Sequence, residues 1–251
     1  MGLRRISLIL TRNTSGGGSH AICNLSLEQN HIDTAEMYAN GGAERTVGQA
    51  IQSANRADLF IASKLWKNHV AHGMVRPAVE GMLRRLATDY LDLLYIHAPW
   101  FDASWQEAIP QIGELIDKGV VRYFGLSNFN AVCLQEVMKL TKYPIVANQM
   151  HYSCAHQQEV TLQLRELCAK NHIAIVAYMP LEKGDILNNQ LIVQMSEKYS
   201  AMPAQIALAW LRSQNALPIP KSIQKSHIDS NAVAEQLQLL PEDALRISGL
   251  I

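Results

Sequence analysis

The stretch His31-Ile32-Asp33-Thr34-Ala35-Glu36-Met37-Tyr38 decides how the rest of the chain is interpreted. Its first four residues, 31–34, predict a short β-strand, and the residues after them predict a loop. The strand end carries the carboxylate of Asp33, and the loop carries the phenol of Tyr38. Two ionisable groups are therefore expected at the end of one strand.

Two further strands are predicted to end on ionisable side chains. The apolar run 59–64 finishes on a lysine, and the apolar run 91–97 finishes on a histidine. If the three strands are parallel neighbours, their carboxyl ends lie at one edge of the sheet. Four groups then meet there: Asp33, Tyr38, Lys64 and His97. This combination suits proton transfer to a carbonyl oxygen.

The motifs around these residues resemble those of the aldo-keto reductases. In order, they are IDTAEMY at 32–38, SK at 63–64, DYLDLLYIHAP at 89–99, GVVRYFGLSNF at 119–129, NQMHY at 148–152, AYMPL at 177–181 and IPKS at 219–222. The resemblance runs from about Asn30 to the C-terminus, whereas the first thirty residues match poorly. It implies a barrel that reduces carbonyl groups with a nicotinamide cofactor.

Composition places the chain among globular proteins of the cytoplasm. The 251 residues are 48% hydrophobic and 18% charged, with a formal net charge of zero, so no nucleic-acid or membrane partner is expected. No apolar run approaches the ~20 residues of a membrane span. Four scattered cysteines suit a reducing compartment better than a disulfide framework: Cys23, Cys133, Cys154 and Cys168. We expect a monomer or a weak oligomer.

Short apolar runs alternate with stretches of helical periodicity along the chain. The predicted strands are 5–11, 31–34, 59–64, 91–97, 121–127, 145–149, 173–178 and 217–220. The predicted helices are 21–29, 43–55, 74–86, 105–118, 132–140, 157–170, 191–199, 204–213 and 231–239. Such alternation implies a parallel sheet, and eight units closed on themselves form a barrel.

We therefore predict an α/β fold, a (β/α)8 TIM barrel of parallel strands that forms a single domain over residues 1–251. A doubly wound open sheet is the alternative, but the chain lacks the GxGxxG turn of that fold. The N-terminal unit is expected to be shortened and atypical. No long C-terminal loop is expected after Leu240, which leaves the substrate pocket open.

The four ionisable residues have complementary roles in carbonyl reduction. Hydride addition to the carbonyl carbon leaves an oxygen that needs a proton, and Tyr38 can donate it. An ammonium ~4 Å away at an effective dielectric of ~20 stabilises the phenolate by about 4 kcal/mol, and Lys64 can supply it. Asp33 would keep Lys64 protonated through an ion pair, and His97 would hydrogen-bond the carbonyl oxygen. The resemblance implies the same four roles.

Each of these residues also has an ordinary structural alternative. An aspartate at a strand end often caps a turn or helix, and a lysine or tyrosine there is usually solvated. His97, which precedes Ala98-Pro99, fits a buried histidine with satisfied hydrogen bonds. The order and spacing of all four residues together favour the catalytic interpretation.

Several later strand ends offer groups for a nicotinamide cofactor. Ser127, Asn128 and Gln149 carry hydroxyl and amide groups, and Tyr178 can stack on an aromatic ring. The alternative for Asn128 is that it caps the following helix. Lys221 and Ser222 suit a phosphate just before a helix. The resemblance implies cofactor binding by Ser127, Asn128, Gln149, Tyr178, Leu181, Lys221, Ser222 and Asn231.

Three departures from the family pattern affect the expected cofactor. His227 stands where many members have arginine, and a mostly neutral imidazole gives no bidentate contact to a phosphate. We therefore predict NADPH with a weakened preference over NADH. Met179 replaces a common serine, and the Gly-x-Gly-Thr turn usual after the first strand is absent.

Aromatic residues after the catalytic strands are candidates for the pocket walls, with ordinary packing under loops as the alternative. These residues are Trp66, Trp100 and Phe101. His151 and His156 suggest a metal, but no carboxylate or cysteine completes a ligand set at useful spacing in the sequence. We therefore predict no metal site.

The sequence favours an NAD(P)H-dependent reductase of small carbonyl substrates, with two alternatives. The same barrel can bind the cofactor with little turnover, as a redox-sensing or regulatory subunit, and the altered first strand supports that interpretation. A metal-dependent barrel hydrolase would require a bound metal. Retention of all four catalytic residue types favours the reductase.

Overall fold

The computed structural model describes residues 30–70, 73–100 and 105–250. The predicted strand 5–11, the predicted helix 21–29 and Phe101 lie outside these residues. The chain divides into two compact units, the first ending at Asn148 and the second beginning at Gln149. The single domain over residues 1–251 stays a prediction.

Seven strands occur in the described residues, each close to a predicted one. They are β1 (His31–Asp33), β2 (Phe60–Leu65), β3 (Leu91–Ile96), β4 (Val121–Ser127), β5 (Ile145–His151), β6 (Ala174–Tyr178) and β7 (Ala216–Pro218).

Ten α-helices alternate with or follow these strands in the described part of the chain. They are α1 (Gly42–Ala50), α2 (Lys67–Val70), α3 (Val75–Leu86), α4 (Trp105–Asp117), α5 (Ala131–Leu140), α6 (Leu162–Lys170), α7 (Gln190–Lys198), α8 (Pro203–Ser213), α9 (Lys225–Val233) and α10 (Pro241–Ser248).

The first unit contains four parallel strands that pair in chain order. Asp33 of β1 lies opposite Ala62 of β2, and Lys64 of β2 lies opposite Tyr95 of β3. Strand β4 pairs with β3 in the same parallel sense. The carboxyl ends of these strands therefore lie at one edge, as the alternating pattern predicts.

The strands of the first unit are buried almost throughout. Every residue of β3 is buried, and so is every residue of β2 except Phe60. Consecutive buried positions are typical of parallel strands covered on both faces. Helix α3 buries one face toward this sheet and ends at Leu86, and Ala87 after it adopts a left-handed conformation.

In the second unit, β6 and β7 pair in parallel and α8 supplies much of the core. Six consecutive residues of α8 are buried, from Ile206 to Leu211. The indole of Trp210 is fully buried, and its Nε1 donates to the carbonyl oxygen of Ala244 in α10 at 3.1 Å. This hydrogen bond ties α10 to α8.

Two helices of the second unit, α6 and α9, were predicted with wrong bounds. Helix α6 begins at Leu162 rather than at 157, because the Thr161 side chain caps it by accepting from the Leu164 amide. The helix predicted at 231–239 lies at Lys225–Val233, where only Ile228 is buried and periodicity gives little signal.

Helix α10 was missing from the prediction. Its signals were a proline at the first position and two acidic residues in the first turn. Only the burial of Ala244 and Ile247 shows which face packs. Among the described residues, none of the helices has both the length and the apolar character that crossing a bilayer requires.

Candidate active site

Lys64 and Asp33 form a buried ion pair at the carboxyl edge of the first unit. The Lys64 ammonium donates to Oδ1 of Asp33, and both side chains are 0% exposed. The ammonium also donates to the carbonyl oxygen of Thr34 at 3.0 Å. Two partners within one pocket compensate the loss of hydration that burying this charge entails.

Tyr38 lies over this pair because the loop after β1 is held against β2. The amide of Thr34 donates to the Ala62 carbonyl, and the amide of Tyr38 donates to the Ala35 carbonyl at 3.0 Å. Lys64 Nζ lies 5.6 Å from the centroid of the half-buried Tyr38 ring. A cation at this place stabilises negative charge that develops on the phenol.

His97 completes the group from the end of β3. Its ring centroid lies 6.0 Å from that of Tyr38, with the rings nearly perpendicular. Burial, reinforced by the nearby Lys64 charge, lowers the pKa of His97 to about 3. The imidazole is therefore neutral at neutral pH and has one N–H to donate.

The structure thus brings together all four ionisable residues predicted to meet: Asp33, Tyr38, Lys64 and His97. Asp33 forms an ion pair with Lys64, and Lys64 is fully buried instead of solvated. Nδ1 of His97 is buried without a hydrogen-bond partner among the described residues. The solvated alternative for Lys64 and the fully hydrogen-bonded alternative for His97 are therefore not what the structure contains.

Tyr95 and Gly125 support the ion pair and were not predicted from the sequence. The Tyr95 ring is buried, with its centroid 5.6 Å from Lys64 Nζ. A Cβ atom at Gly125 would lie 2.7 Å from two atoms of that ring. Glycine is required at this position because any side chain would displace the tyrosine. The signal was the alternation in β3, which puts Tyr95 and His97 on one face.

Glu36 is a second residue that sequence reasoning missed. One carboxylate oxygen accepts from the backbone amide of Trp66, and the other lies 2.7 Å from Nδ1 of His69. The side chain is nearly buried although it stands in a loop. Glu36 thereby fixes the start of the segment that follows β2.

Trp66 and Trp100 form an aromatic wall beside His97. Their ring centroids are 5.0 Å apart, and those of Trp66 and His97 are 5.3 Å apart. All three pairs of rings meet edge to face. The two tryptophans predicted as pocket walls therefore adjoin the imidazole.

Ser127 is the last residue of β4, and Asn128, which follows it, is hydrogen-bonded to His97. Nδ2 of Asn128 donates to the His97 carbonyl oxygen and to the Ser127 hydroxyl, each at 3.1 Å. Asn128 has a left-handed backbone, φ 63°, which asparagine tolerates better than most residues. The alternative that Asn128 caps the next helix is wrong, since Asn130 accepts from the Cys133 amide in that role.

The other predicted cofactor residues lie in the second unit. Gln149 is buried, and the half-buried Tyr178 ring stacks on the ring of His151 at 5.3 Å. Leu181 is half-buried just before a 3₁₀ segment.

The predicted phosphate group of residues lies before and within α9. Lys221 is exposed, and the Ser222 hydroxyl accepts from the amide of Gln224 at 3.1 Å. Asn231 lies inside α9 instead of at the start of a helix. The helix begins at Lys225, so Lys221 and Ser222 precede it by a few residues.

These residues fit the chemistry of a nicotinamide cofactor. The hydroxyl of Ser127 and the amide of Asn128 offer both donors and acceptors, which is what a carboxamide needs. An exposed lysine and a hydroxyl before a helix suit a phosphate. We find no residue among these whose environment opposes such a ligand.

Two carboxylates near His151 and His156 were also missed. Glu182 Oε1 lies 2.9 Å from His151 Nε2, and Glu159 Oε1 lies 3.2 Å from His156 Nε2. Glu182 is distant in sequence, and Glu159 stands in a loop that was predicted to be helix. The reason given for expecting no metal, the lack of a carboxylate, was therefore wrong.

Comparison with known proteins agrees with the motifs. A profile described as "Aldo/keto reductase family" matches residues 24–251. The glyoxal reductase of Bacillus subtilis (strain 168) is 34% identical over 221 residues, which cover 87% of this chain and 78% of that protein. Methylglyoxal reductase DkgB of Escherichia coli O157:H7 is 33% identical over 234 residues, covering 90% and 84%.

Solved structures give the same result at the level of the fold. A thermostable aldo-keto reductase, Tm1743, crystallised with the inhibitor epalrestat, has a TM-score of 0.89 at 30% identity, covering 98% of this chain and 94% of that chain. An aldo/keto reductase of Klebsiella pneumoniae in complex with NADP and acetate has a TM-score of 0.83 at 31% identity, covering 89% and 80%. The predicted α/β, TIM-barrel-like fold class is confirmed.

Proposed function

The chain belongs to the aldo/keto reductase family, and on that premise we propose that it reduces aldehydes or ketones with NADPH, with Tyr38 as the proton donor. The observation that supports this most directly is the convergence of four groups at one edge. A fully buried ammonium–carboxylate pair lies below the Tyr38 ring and beside a neutral imidazole. This arrangement supplies a proton and stabilises the charge left behind.

A nicotinamide cofactor, when bound, would supply the hydride for the carbonyl carbon, and residues of this chain act on the carbonyl oxygen. The neutral His97 donates its N–H to the carbonyl oxygen and orients it. Tyr38 gives its hydroxyl proton to that oxygen as the alcohol forms. Lys64, held by Asp33, stabilises the resulting phenolate until solvent returns the proton.

For the cofactor, we infer that Ser127, Asn128 and Gln149 bind the carboxamide and that Tyr178 stacks on the nicotinamide ring. Leu181 lies shortly after β6, the strand that ends at Tyr178, and would line the diphosphate of the cofactor. Lys221, Ser222 and Asn231 would bind the phosphate that distinguishes NADPH from NADH. Because His227 adds no permanent charge there, the expected preference for NADPH is modest.

The substrate class follows from the relatives and from the pocket wall. The relatives above are named for glyoxal and methylglyoxal, which are small 2-oxoaldehydes. Trp66 and Trp100 beside His97 offer an apolar wall with edge-on rings. We propose small, activated aldehydes of this kind as substrates.

We also infer that the enzyme works in the cytoplasm as a monomer or weak oligomer. The described cysteines are free thiols: Cys133, Cys154 and Cys168. Burial raises the pKa of Cys154 to about 12 and that of Cys168 to about 11, so neither forms a reactive thiolate at neutral pH. Such thiols need no disulfide partner.

Steady-state assays with methylglyoxal and NADPH test this proposal through the Tyr38→Phe variant. Loss of the hydroxyl removes the proton donor, so kcat should fall by about 10²–10⁴-fold. NADPH affinity, measured by quenching of protein fluorescence, should change less than about twofold because the ring remains. Consumption of NADPH is followed by the absorbance of the reduced nicotinamide.

Tyr123→Phe is the matched control, since Tyr123 lies in β4 with an exposed ring outside the group of four. It should retain wild-type turnover. Turnover by Tyr38→Phe within about threefold of wild type would contradict the assigned role. NADPH binding without consumption by any form of the protein would instead favour the sensing alternative.

A further inference from the structure

A cluster of imidazoles and carboxylates lies in the second unit, apart in sequence from the four catalytic residues. We call it the His151 cluster, and it consists of His151, His156, Glu159 and Glu182. One ligand atom each from His151, His156 and Glu159 lies within 4.8 Å of the other two. No other group of this kind occurs in the described residues.

The turn after β5 holds the two histidines in place. Ser153 and His156 exchange both backbone hydrogen bonds, at 3.0 and 3.2 Å. Nε2 of Gln157 donates to the Cys154 carbonyl at 2.8 Å and to the Ser248 carbonyl at 3.2 Å. Ser153 and Cys154 are buried. The backbone that carries the two imidazoles is therefore fixed before any ligand arrives.

Glu182 orients the ring of His151. Its carboxylate lies 2.9 Å from Nε2, and Tyr178 stacks on the ring with an interplanar angle of 16°. A carboxylate on one ring nitrogen fixes the tautomer and leaves the other nitrogen as a metal ligand. This pairing is the usual outer contact of a metal-bound histidine.

His156 and Glu159 lie on the open side of the cluster. The rings of His151 and His156 are 3.6 Å apart and nearly parallel. A shared metal needs the in-plane lone pairs to converge, so the His156 ring must turn on binding. Its polar partners Gln158 and Glu159 are close to it in the chain, and the His156 side chain is 22% exposed, so solvent reaches the ring.

Two imidazoles and one carboxylate match the ligand preferences of zinc. Zn²⁺ accepts nitrogen and carboxylate oxygen in a tetrahedral arrangement, and three protein ligands leave one position for water. The ion would also neutralise the charge of Glu159. Hard cations such as Mg²⁺ and Ca²⁺ prefer sets made of oxygen alone.

We propose that His151, His156 and Glu159 bind one Zn²⁺ ion, with Glu182 as the outer carboxylate that orients His151. The site requires no contribution from Tyr38 or Lys64. Its test does not rely on carbonyl-reducing activity.

Competition with a chromogenic chelator tests the site on full-length protein that has been stripped of metal and exchanged into metal-free buffer. Wild-type protein should take up one equivalent of Zn²⁺. His156→Ala and Glu159→Gln should each weaken binding at least about tenfold, and Glu182→Gln should weaken it by about 10–100-fold through loss of the outer contact. Circular dichroism verifies that each variant is folded.

Two control variants separate this site from ordinary surface binding. His227→Ala removes an exposed imidazole, and Cys133→Ser removes a half-exposed thiol that can itself take zinc. Both should bind Zn²⁺ as wild type does. Cobalt added in place of zinc should give the intense visible bands of a tetrahedral site, and these bands should be lost in His156→Ala.

Three results would overturn the proposal. One is wild-type protein that takes up less than one equivalent of Zn²⁺. Another is a folded His156→Ala variant with unchanged affinity. The third is a loss in His227→Ala or Cys133→Ser as large as that in His156→Ala, which would place the ion elsewhere.

Discussion

The two ends of the first unit's sheet both bury an aspartate, but they surround it differently. At the carboxyl end, Asp33 contacts one lysine that is itself fully buried. Toward the amino end, Asp92 accepts from the Ile61 amide at 2.9 Å and pairs with Arg56 at 2.8 Å and Arg122 at 3.0 Å. We call the first the carboxyl-end pair and the second the amino-end network.

The charged groups of the amino-end network have several hydrogen-bonding and ion-pair partners. Arg56 also donates to Thr88 and to two carbonyl oxygens, and the guanidinium groups of Arg56 and Arg122 lie on the Tyr90 ring at 3.8 and 3.9 Å. Both arginines reach solvent, so they keep part of their hydration. This arrangement suits stability.

Burying the carboxyl-end pair costs more desolvation free energy, because both of its charged side chains are fully removed from water. Its ammonium is dry and has a phenol and a neutral imidazole as neighbours. A protein keeps such an arrangement where the charge is used, and active sites of barrel enzymes occupy this end of the strands. The comparison shows that burial of an aspartate does not indicate whether its role is catalytic or structural until its partners are known.

The largest expected effect is that of Lys64→Met, which breaks the carboxyl-end pair. It leaves Asp33 buried without its cation, which should cost about 3–5 kcal/mol of unfolding free energy. Turnover of the folded fraction should fall by more than about 10²-fold because the phenolate loses its stabilising charge. Urea unfolding and steady-state kinetics measure the two effects.

The matched control is Leu65→Met, which introduces the same side chain at the next buried position of the same strand. It should cost less than about 1.5 kcal/mol and leave kcat near wild type. A Lys64→Met protein with normal turnover would remove the distinction between the two ends.

Asp92→Asn should have a smaller effect, and on stability alone. The variant keeps an acceptor for the Ile61 amide but loses the charge that pairs with Arg56 and Arg122. We expect a loss of about 1–3 kcal/mol, since both arginines can be partly hydrated. The kcat of the folded enzyme should stay within about twofold of wild type. A loss of kcat without any loss of unfolding free energy would contradict the purely structural role of the amino-end network.

His31→Leu should have the smallest effect, which appears only at acidic pH. Burial lowers the pKa of His31 to about 4, and the charge of Asp33 opposes this shift. Below pH ~6.5 the unfolded chain binds a proton at this residue, and the folded chain does not until pH ~4. Stability is therefore lost as the pH falls through this window.

The substitution removes this loss, so at pH 5 the variant should be about 2 kcal/mol more resistant to unfolding than wild type, relative to their difference at pH 7.5. Because His97 stays in place, the variant retains part of the acid sensitivity. Urea unfolding at the two pH values measures the difference. Equal pH dependence in both proteins would mean that folding does not lower the pKa of His31.

Much of the first unit was predictable because its signals are local. Strand β4 has the predicted bounds, and β1, β2 and β3 differ from theirs by about one residue. Apolar runs mark buried parallel strands irrespective of what packs on them.

Two helices of the second unit were not predicted correctly. Helix α9 was misplaced because its periodicity is weak, and α10 was missed because its burial depends on packing near Trp210.

Local patterns in the amino-acid sequence were enough to predict the family, the order of the strands and which strand ends carry an acid, a base or a phenol. Three features required the folded structure: the full burial of Lys64 against Asp33, the neutral imidazole of His97, and the contact of Glu182 with His151. Each of those two contacting pairs is separated by 31 residues. Periodicity reports which face of an element is apolar, whereas hydration and partner distance depend on how distant elements pack.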